Sequence, residues 1–128
     1  MKTITNAELR EILAKAGIKN PNLADSEYTV MTEADFKKLN RLLFLIRLLP
    51  YQPEKRDCDD YADFAKAVCR LYFKNKAFGT IWADGINPAG YHAANLYINE
   101  NKEVVIYEPQ NAKIIPFKPT GDRILTII

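Results

Sequence analysis

The chain has 128 residues, of which 48% are hydrophobic and 27% are charged. This length and composition predict one globular domain with a core large enough to fold without disulfide or metal staples. Because 18 basic and 16 acidic residues are interspersed and leave a net charge of +2, we expect neither nucleic acid nor a membrane among the partners.

The N-terminal sequence and the two cysteines indicate the cellular compartment of the protein. Residues 1–6 lack the apolar run of a signal peptide, and the longest apolar stretch, 42–49, is interrupted by Arg47 and too short to span a bilayer. If Cys58 and Cys69 share one helix, they lie about 16 Å apart, which is too far for a disulfide. Two unpaired thiols are typical of a reducing compartment, so we expect a cytoplasmic protein.

The first predicted helix begins with a capping box. Thr5 and Glu8 have the spacing at which each side chain can bond the other residue's backbone amide. The apolar periodicity that follows predicts a helix over about 6–16, and Gly17 is a natural stop. Residues 18–31 are rich in turn formers, and this composition predicts a loop.

A second helix is predicted from the cap residue Thr32 to Leu49, where Pro50 ends it. Its apolar residues cover most of the girth: Phe36, Leu39, Leu42, Leu43, Phe44, Leu45, Ile46, Leu48 and Leu49. A helix that is apolar on most sides is typical of a buried position, so we expect a central core helix. The alternative is a dimer or partner surface.

A third helix and an antiparallel sheet complete the predicted domain. After a polar loop, helical spacing of apolar residues predicts a helix over 58–74. Strands are predicted over 78–83, 91–98, 103–107, 114–117 and 124–128, with a loop over 84–90 and a turn at 99–101. Helices followed by an antiparallel sheet are the pattern of an α+β domain.

Cys58 is a candidate nucleophile. A thiol at a helix N-terminus feels the positive end of the macrodipole, which favours the thiolate. The carboxylates of Asp57, Asp59 and Asp60 oppose this effect, because a like charge raises the pKa of a thiol. An imidazolium is therefore needed to activate Cys58, and the alternative is a small buried hydrophobic residue.

His92, the one histidine of the chain, lies on a strand predicted to pair with the strand that ends near Glu108. If the apolar residues of the two strands meet, Leu96 lies opposite Val104, and the same register places His92 opposite Glu108. A carboxylate there would orient the imidazole and stabilise its charged form. The alternatives are a structural histidine, a strand-end carboxylate, and a different register in which Asn111 replaces Glu108.

Gln52 and the aspartates near Cys58 are further candidates. The Gln52 amide, six residues before Cys58, could donate to an oxyanion, and the alternative is a solvated loop residue. The aspartates of 57–63 fail the EF-hand template, and carboxylates in a first helical turn are expected from the macrodipole alone. One histidine and two distant cysteines cannot form a zinc site. The residues therefore predict no metal and no cofactor.

Together these motifs resemble the papain-like and transglutaminase-like cysteine hydrolase superfamily. In that fold a cysteine starts a helix, and a histidine and then an acidic or amide residue come from neighbouring strands. Cys58 opens the segment CDDYADFA, His92 lies in GYHAAN, and Glu108 lies in YEPQ. Gln52 lies where papain-like enzymes carry their oxyanion-hole glutamine.

The pattern is most similar to the compact papain-like domain of a mushroom lectin, whose proteolysis depends on calcium, and to small phage and bacterial proteins. The resemblance implies a single papain-like α+β domain over 1–128. Its parts are a helical N-terminal part, 1–50, and a catalytic-type helix with a sheet, 51–128. Calcium is a possible cofactor by this resemblance only.

The favoured interpretation is a cysteine hydrolase, either a peptidase or an amidase, or else an acyl-transferase. Cys58 would attack a carbonyl of a peptide or protein substrate and His92 would carry the proton. Glu108 would orient His92, and Gln52 would stabilise the oxyanion. The alternatives are a non-catalytic binding or inhibitory protein of phage or bacterial origin, and a structural domain with an unused triad. The oligomeric state, a dimer included, stays open.

Overall fold

The chain has an α+β fold, which confirms the predicted class; the computed structural model describes residues 2–87, 90–116 and 123–128, without the side chain of residue 87. The described helices are α1 (Asn6–Lys15), α2 (Glu33–Leu42), α3 (Phe44–Arg47) and α4 (Cys58–Tyr72). The described strands are β1 (Thr3–Thr5), β2 (Glu27–Thr29), β3 (Phe78–Asn87), β4 (Gly90–Ile98), β5 (Val104–Glu108), β6 (Lys113–Ile115) and β7 (Ile124–Ile127). None of these helices is long and apolar enough to cross a membrane.

Five of the strands form one antiparallel sheet in the order β6-β5-β4-β3-β7. The strand predicted over 78–83 continues to Asn87, so the predicted loop over 84–90 begins later; residues 88 and 89 lie outside the described residues. The strand predicted over 114–117 is described as β6, and residue 117 lies outside the described residues.

A second, two-stranded sheet pairs β1 with β2. Sequence patterning missed both strands, and the prediction of a loop over 18–31 is wrong at β2. Each strand has three residues, which is too short for alternation to be recognised. Their pairing also joins segments from the two sides of α1, so no local signal indicates it.

The capping box predicted for α1 is confirmed. The Glu8 amide donates to the Thr5 hydroxyl over 3.1 Å, and the Thr5 amide donates to the Glu8 carboxylate over 3.4 Å. Gly17 follows the helix with φ +84°, a backbone conformation that glycine adopts without a Cβ clash. Local chemistry alone therefore fixes both ends of α1.

The second predicted helix is broken at Leu43 into α2 and α3. Leu39 and Leu43 are fully buried, whereas Leu45 and Leu48 are 70% and 63% exposed. The prediction of a central core helix is therefore wrong for α3. The core lies on one side of α2 and α3, so side chains distributed around the whole circumference of the helices cannot all reach it.

The core lies on both faces of the large sheet. On one face, Leu9 and Leu13 of α1 pack with β-strand residues that include Ala94 and Leu96. On the other face, a second cluster joins α2 and α4 to the sheet through Leu39, Ala65, Cys69, Tyr97 and Tyr107. Alternating side chains of β4 supply both clusters, as the period of two along a strand requires.

A buried amide ties α4 to the sheet. Asn95 on β4 is fully buried, and its Nδ2 donates to the carbonyl oxygen of Ala62 over 2.9 Å and to that of Gly79 over 3.0 Å. Small residues on α4, Ala62 and Ala65, have no exposed surface and allow the helix to lie close to the strands. This contact brings the N-terminal end of α4 next to the first residues of β4.

Two leucines of the segment predicted as one helix provide a matched pair for a stability test. We expect Leu39→Ala to lower the free energy of unfolding by about 2–5 kcal/mol, because it opens a cavity in the cluster between α2 and α4. Leu48→Ala removes an exposed side chain, and we expect a change within about 0.5 kcal/mol. Urea denaturation of both variants measures the difference, and equal losses would contradict the burial of Leu39 and the exposure of Leu48.

Candidate functional site

A groove opens where β4 and β5 separate. The ladder between the two strands runs from Ile98–Val104 to Asn95–Tyr107, and both strands continue beyond that last pair. The groove has a volume of about 530 Å³ and lies beside the start of α4. Its lining residues are Tyr51, Cys58, Gly90, Tyr91, His92, Glu108, Gln110 and Asn111.

His92 and Glu108 form a short hydrogen bond in the wall of the groove. The distance from His92 Nε2 to Glu108 Oε1 is 2.5 Å, and the two side chains are only 12% and 8% exposed. The second carboxylate oxygen of Glu108 accepts a hydrogen bond from the Gln110 amide over 3.3 Å. The imidazole of His92, the carboxylate of Glu108 and the backbone N–H of Gln110 thus hold one another in place.

The register predicted for these strands is wrong by two residues. Leu96 pairs with Ile106 instead of Val104, so Glu108 is not directly opposite His92. A shift of two residues leaves every side chain on the same face of the sheet, whereas a shift of one would reverse it. The imidazole and the carboxylate therefore still meet, across a diagonal of the ladder.

Cys58 is the first residue of α4 and is half-buried. Burial raises the pKa of the Cys58 thiol, and the charges of Asp57 and Asp59 raise it further; a hydrogen bond from the Ala93 amide opposes them. The net effect keeps the thiol protonated at neutral pH. The carboxylates in the first helical turn oppose the helix N-terminus, which by itself would favour the thiolate.

The thiol and the imidazole share the groove but not a hydrogen bond. Across the described ranges, no hydrogen bond joins the sulfur of Cys58 to a ring nitrogen of His92, whose Nε2 is engaged by Glu108. Folding thus brings together three of the four predicted site residues, while the arrangement lacks the contact that would generate a thiolate.

Gln52, the fourth, is not among the residues that line the groove. It is exposed in a tight turn, where its amide donates to the Arg56 carbonyl oxygen over 2.7 Å and its own carbonyl oxygen accepts from the Arg56 amide over 2.7 Å. The neighbouring Tyr51 lines the groove instead. As a group, the four candidates stay a prediction, and their chemical roles are not tested by these contacts.

Two tyrosines that sequence reasoning missed flank the groove. Tyr51 is 54% exposed and stacks on Tyr61, with ring centroids 6.5 Å apart and ring planes nearly parallel. Tyr91 is 43% exposed, and the guanidinium of Arg123 lies 4.6 Å from its ring centroid. The available signal was an aromatic residue next to proline in a predicted loop (Tyr51) and next to glycine at the first position of a predicted strand (Tyr91), since exposed rings at such places often serve binding.

Asp57, Asp59 and Asp60 are the described side chains close enough together to hold a cation, with one oxygen of each within 4.8 Å of the others. A hydrogen bond between Asp57 and Asp59 lowers the pKa of Asp57 and raises that of Asp59. Carboxylates in the first turn of a helix are favoured by the macrodipole without any metal. We assign no calcium site here.

No protein-family model matches the chain, and no curated protein matches it. Among the solved structures that share its fold are the following two. One, described as "PSL1a-E64 complex", has a TM-score of 0.73 and 24% identity, covering 88% of this chain and 46% of that chain. The other, Polyporus squamosus lectin bound to the epitope Neu5Aca2-6Galb1-4GlcNAc, has a TM-score of 0.76 and 22% identity, covering 96% and 49%. The chain spans about half the length of these structures.

These comparisons correct the predicted activity. One of the similar structures is a lectin, and neither is described as a hydrolase. Membership in the cysteine hydrolase superfamily, hydrolase or acyl-transferase activity, and a peptide or protein substrate are therefore wrong as predictions. The physical reason lies at Cys58, whose pKa is raised by burial and by Asp57 and Asp59, and which has no hydrogen bond to His92 in the described part of the chain.

The ionisation of Cys58 can be measured directly. Because its pKa is raised, the unreactive thiol form persists to higher pH, and we expect the alkylation rate by iodoacetamide to keep rising above about pH 8.5, the ordinary pKa of a free thiol. Cys58→Ala is the control, since it leaves only Cys69, whose pKa burial raises to about 12. A rate that levels off below about pH 7, and loses this plateau in His92→Ala, would contradict an unactivated thiol.

Proposed function

We propose that the chain is a non-catalytic binding module whose groove takes a carbohydrate. The observation that carries this proposal is the pairing of two exposed tyrosine rings with planar polar side chains around one groove. Tyr51 and Tyr91 supply the rings, and Gln110 and Asn111 supply amide donors and acceptors. Few polar groups fixed in a partly apolar cleft are typical of small-molecule sites.

The chemistry of a sugar suits this set of groups. The C–H face of a pyranose can stack on a tyrosine ring, which offers a broad apolar surface with a polar tip. The hydroxyl groups of the sugar both donate and accept, as do the side-chain amides of Gln110 and Asn111. The groove needs no reactive group for such binding, in agreement with a protonated Cys58.

The walls of the groove are held before any ligand arrives. Tyr51 is supported from behind by Tyr61, whose hydroxyl donates to the Leu49 carbonyl oxygen over 2.5 Å. Tyr91 is supported by Arg123, which itself donates two hydrogen bonds to Asp84. Binding to groups that are already positioned loses less conformational entropy, so a small ligand can be held by few contacts.

One of the similar solved structures, a lectin described with a sialylated glycan epitope, supports a glycan as the class of ligand. Because this chain spans about half the length of that protein, carbohydrate binding is our proposal for this chain and not a property carried over. The predicted papain-like core fits the same proposal as a scaffold, since α4 begins at Cys58 and packs on β4.

Calorimetric titration with Galb1-4GlcNAc and with its sialylated form tests the proposal. We expect saturable binding of at least one of them, and a loss of at least about tenfold in affinity for Tyr91→Ala, because stacking area is removed. Tyr72→Ala is the matched control: Tyr72 is 62% exposed on α4 but does not line the groove.

Two results would contradict carbohydrate binding at the groove. The first is no detectable heat with either sugar at millimolar concentration. The second is equal binding by the wild type and Tyr91→Ala, which would place the sugar elsewhere. Cleavage of a peptide by the wild type that is lost in Cys58→Ala would overturn the non-catalytic assignment itself.

A further inference from the structure

Arg47, at the C-terminal end of α3, lies outside the groove. It bonds to residues 107–111, the wall segment, which carries the groove-lining side chains of Glu108, Gln110 and Asn111. Its Nε donates to the Pro109 carbonyl oxygen over 3.0 Å, and its Nη1 donates to the Asn40 carbonyl oxygen over 3.2 Å. Its Nη2 bonds both the Asn40 side-chain oxygen and the Tyr107 hydroxyl. One guanidinium therefore joins the helical layer to the end of β5.

The wall segment is held from two directions. From the helical layer, Arg47 bonds Tyr107 and Pro109. From the neighbouring strand, His92 bonds Glu108, the residue between them. The backbone N–H of Gln110 donates to Glu108. Both contacts therefore help to fix Gln110, the first residue after β5 that lines the groove.

The chemistry of the contact requires arginine. A guanidinium presents five N–H donors in a planar fork, whereas an ammonium presents three donors at one point. Asn40 Oδ1 also accepts from the hydroxyl of the fully buried Tyr107 over 2.6 Å, so the three side chains form one closed network. A lysine at position 47 could not reach the Pro109 carbonyl and Tyr107 together.

We propose that Arg47 is a positioning residue for the groove: it sets the place of Gln110 and Asn111, and through them the affinity for ligand, without touching the ligand. The ligand part of this inference rests on the proposed function. The positioning part does not, because the place of the wall can be measured in the free protein. In the sequence, Arg47 was visible only as a charge that interrupts an apolar run.

The test compares Arg47→Lys and Arg47→Met with the wild type by amide hydrogen exchange, read by NMR without ligand. We expect the backbone N–H of Gln110 to exchange at least about tenfold faster in both variants, because the segment that carries Glu108 loses one of its two supports. The Leu96 amide in the middle of β4 reports global stability and should change much less. Arg70→Met is the control, since Arg70 also joins two segments, bonding Asp25 over 2.7 Å, but does not line or support the groove.

Each outcome decides the proposal. Faster exchange at Gln110 with little change at Leu96, and a Kd for the sugar about tenfold higher, would support it. Faster exchange at Gln110 in a protein whose wild type binds neither sugar would support positioning and refute the proposed function instead. An unchanged Gln110 amide would overturn the proposal. So would equal acceleration at Gln110 and Leu96 in both variants, because Arg47 would then serve only global stability.

Discussion

Helix α4 lies close against the sheet because small side chains and one buried amide occupy the contact. Asn95 is inside the protein with no exposed surface, and its two donated hydrogen bonds hold the helix through Ala62 and the neighbouring strand through Gly79. A buried amide without partners would cost about 1–3 kcal/mol, so these bonds strongly favour one placement of α4. The position of Cys58, at the first turn of that helix, follows from it.

The same placement explains the electrostatics at the groove. The first turn of α4 lies beside the first residues of β4, where the Ala93 amide can bond the Cys58 thiol. It brings the carboxylates of Asp57 and Asp59 along with it, and these raise the pKa of Cys58 together with burial. A helix N-terminus that carries its own acids is a poor place for a thiolate, although a cysteine there is the usual signature of one.

The polar and aromatic walls of the groove are held in place by contacts with other parts of the protein. Glu108 is held by His92, and the strand around it is held by Arg47 through Tyr107 and Pro109. Recognition benefits from walls that are already in position and needs no thiolate, whereas nucleophilic catalysis by Cys58 requires a thiolate activated by a base such as the imidazole. The geometry therefore agrees with a binding role on a fold shared with a lectin structure.

The sequence by itself determined the α+β class, both ends of α1, the start of α4 at Cys58 and the approximate places of the strands of the large sheet. These features depend on capping bonds and side-chain periodicity between residues close along the chain. Only the tertiary structure decided the break at Leu43, the pairing of β1 with β2, the two-residue register shift, the exclusion of Gln52 and the reach of Arg47 to Pro109. Each of these depends on which distant surface a side chain meets, and no short stretch of sequence carries that information.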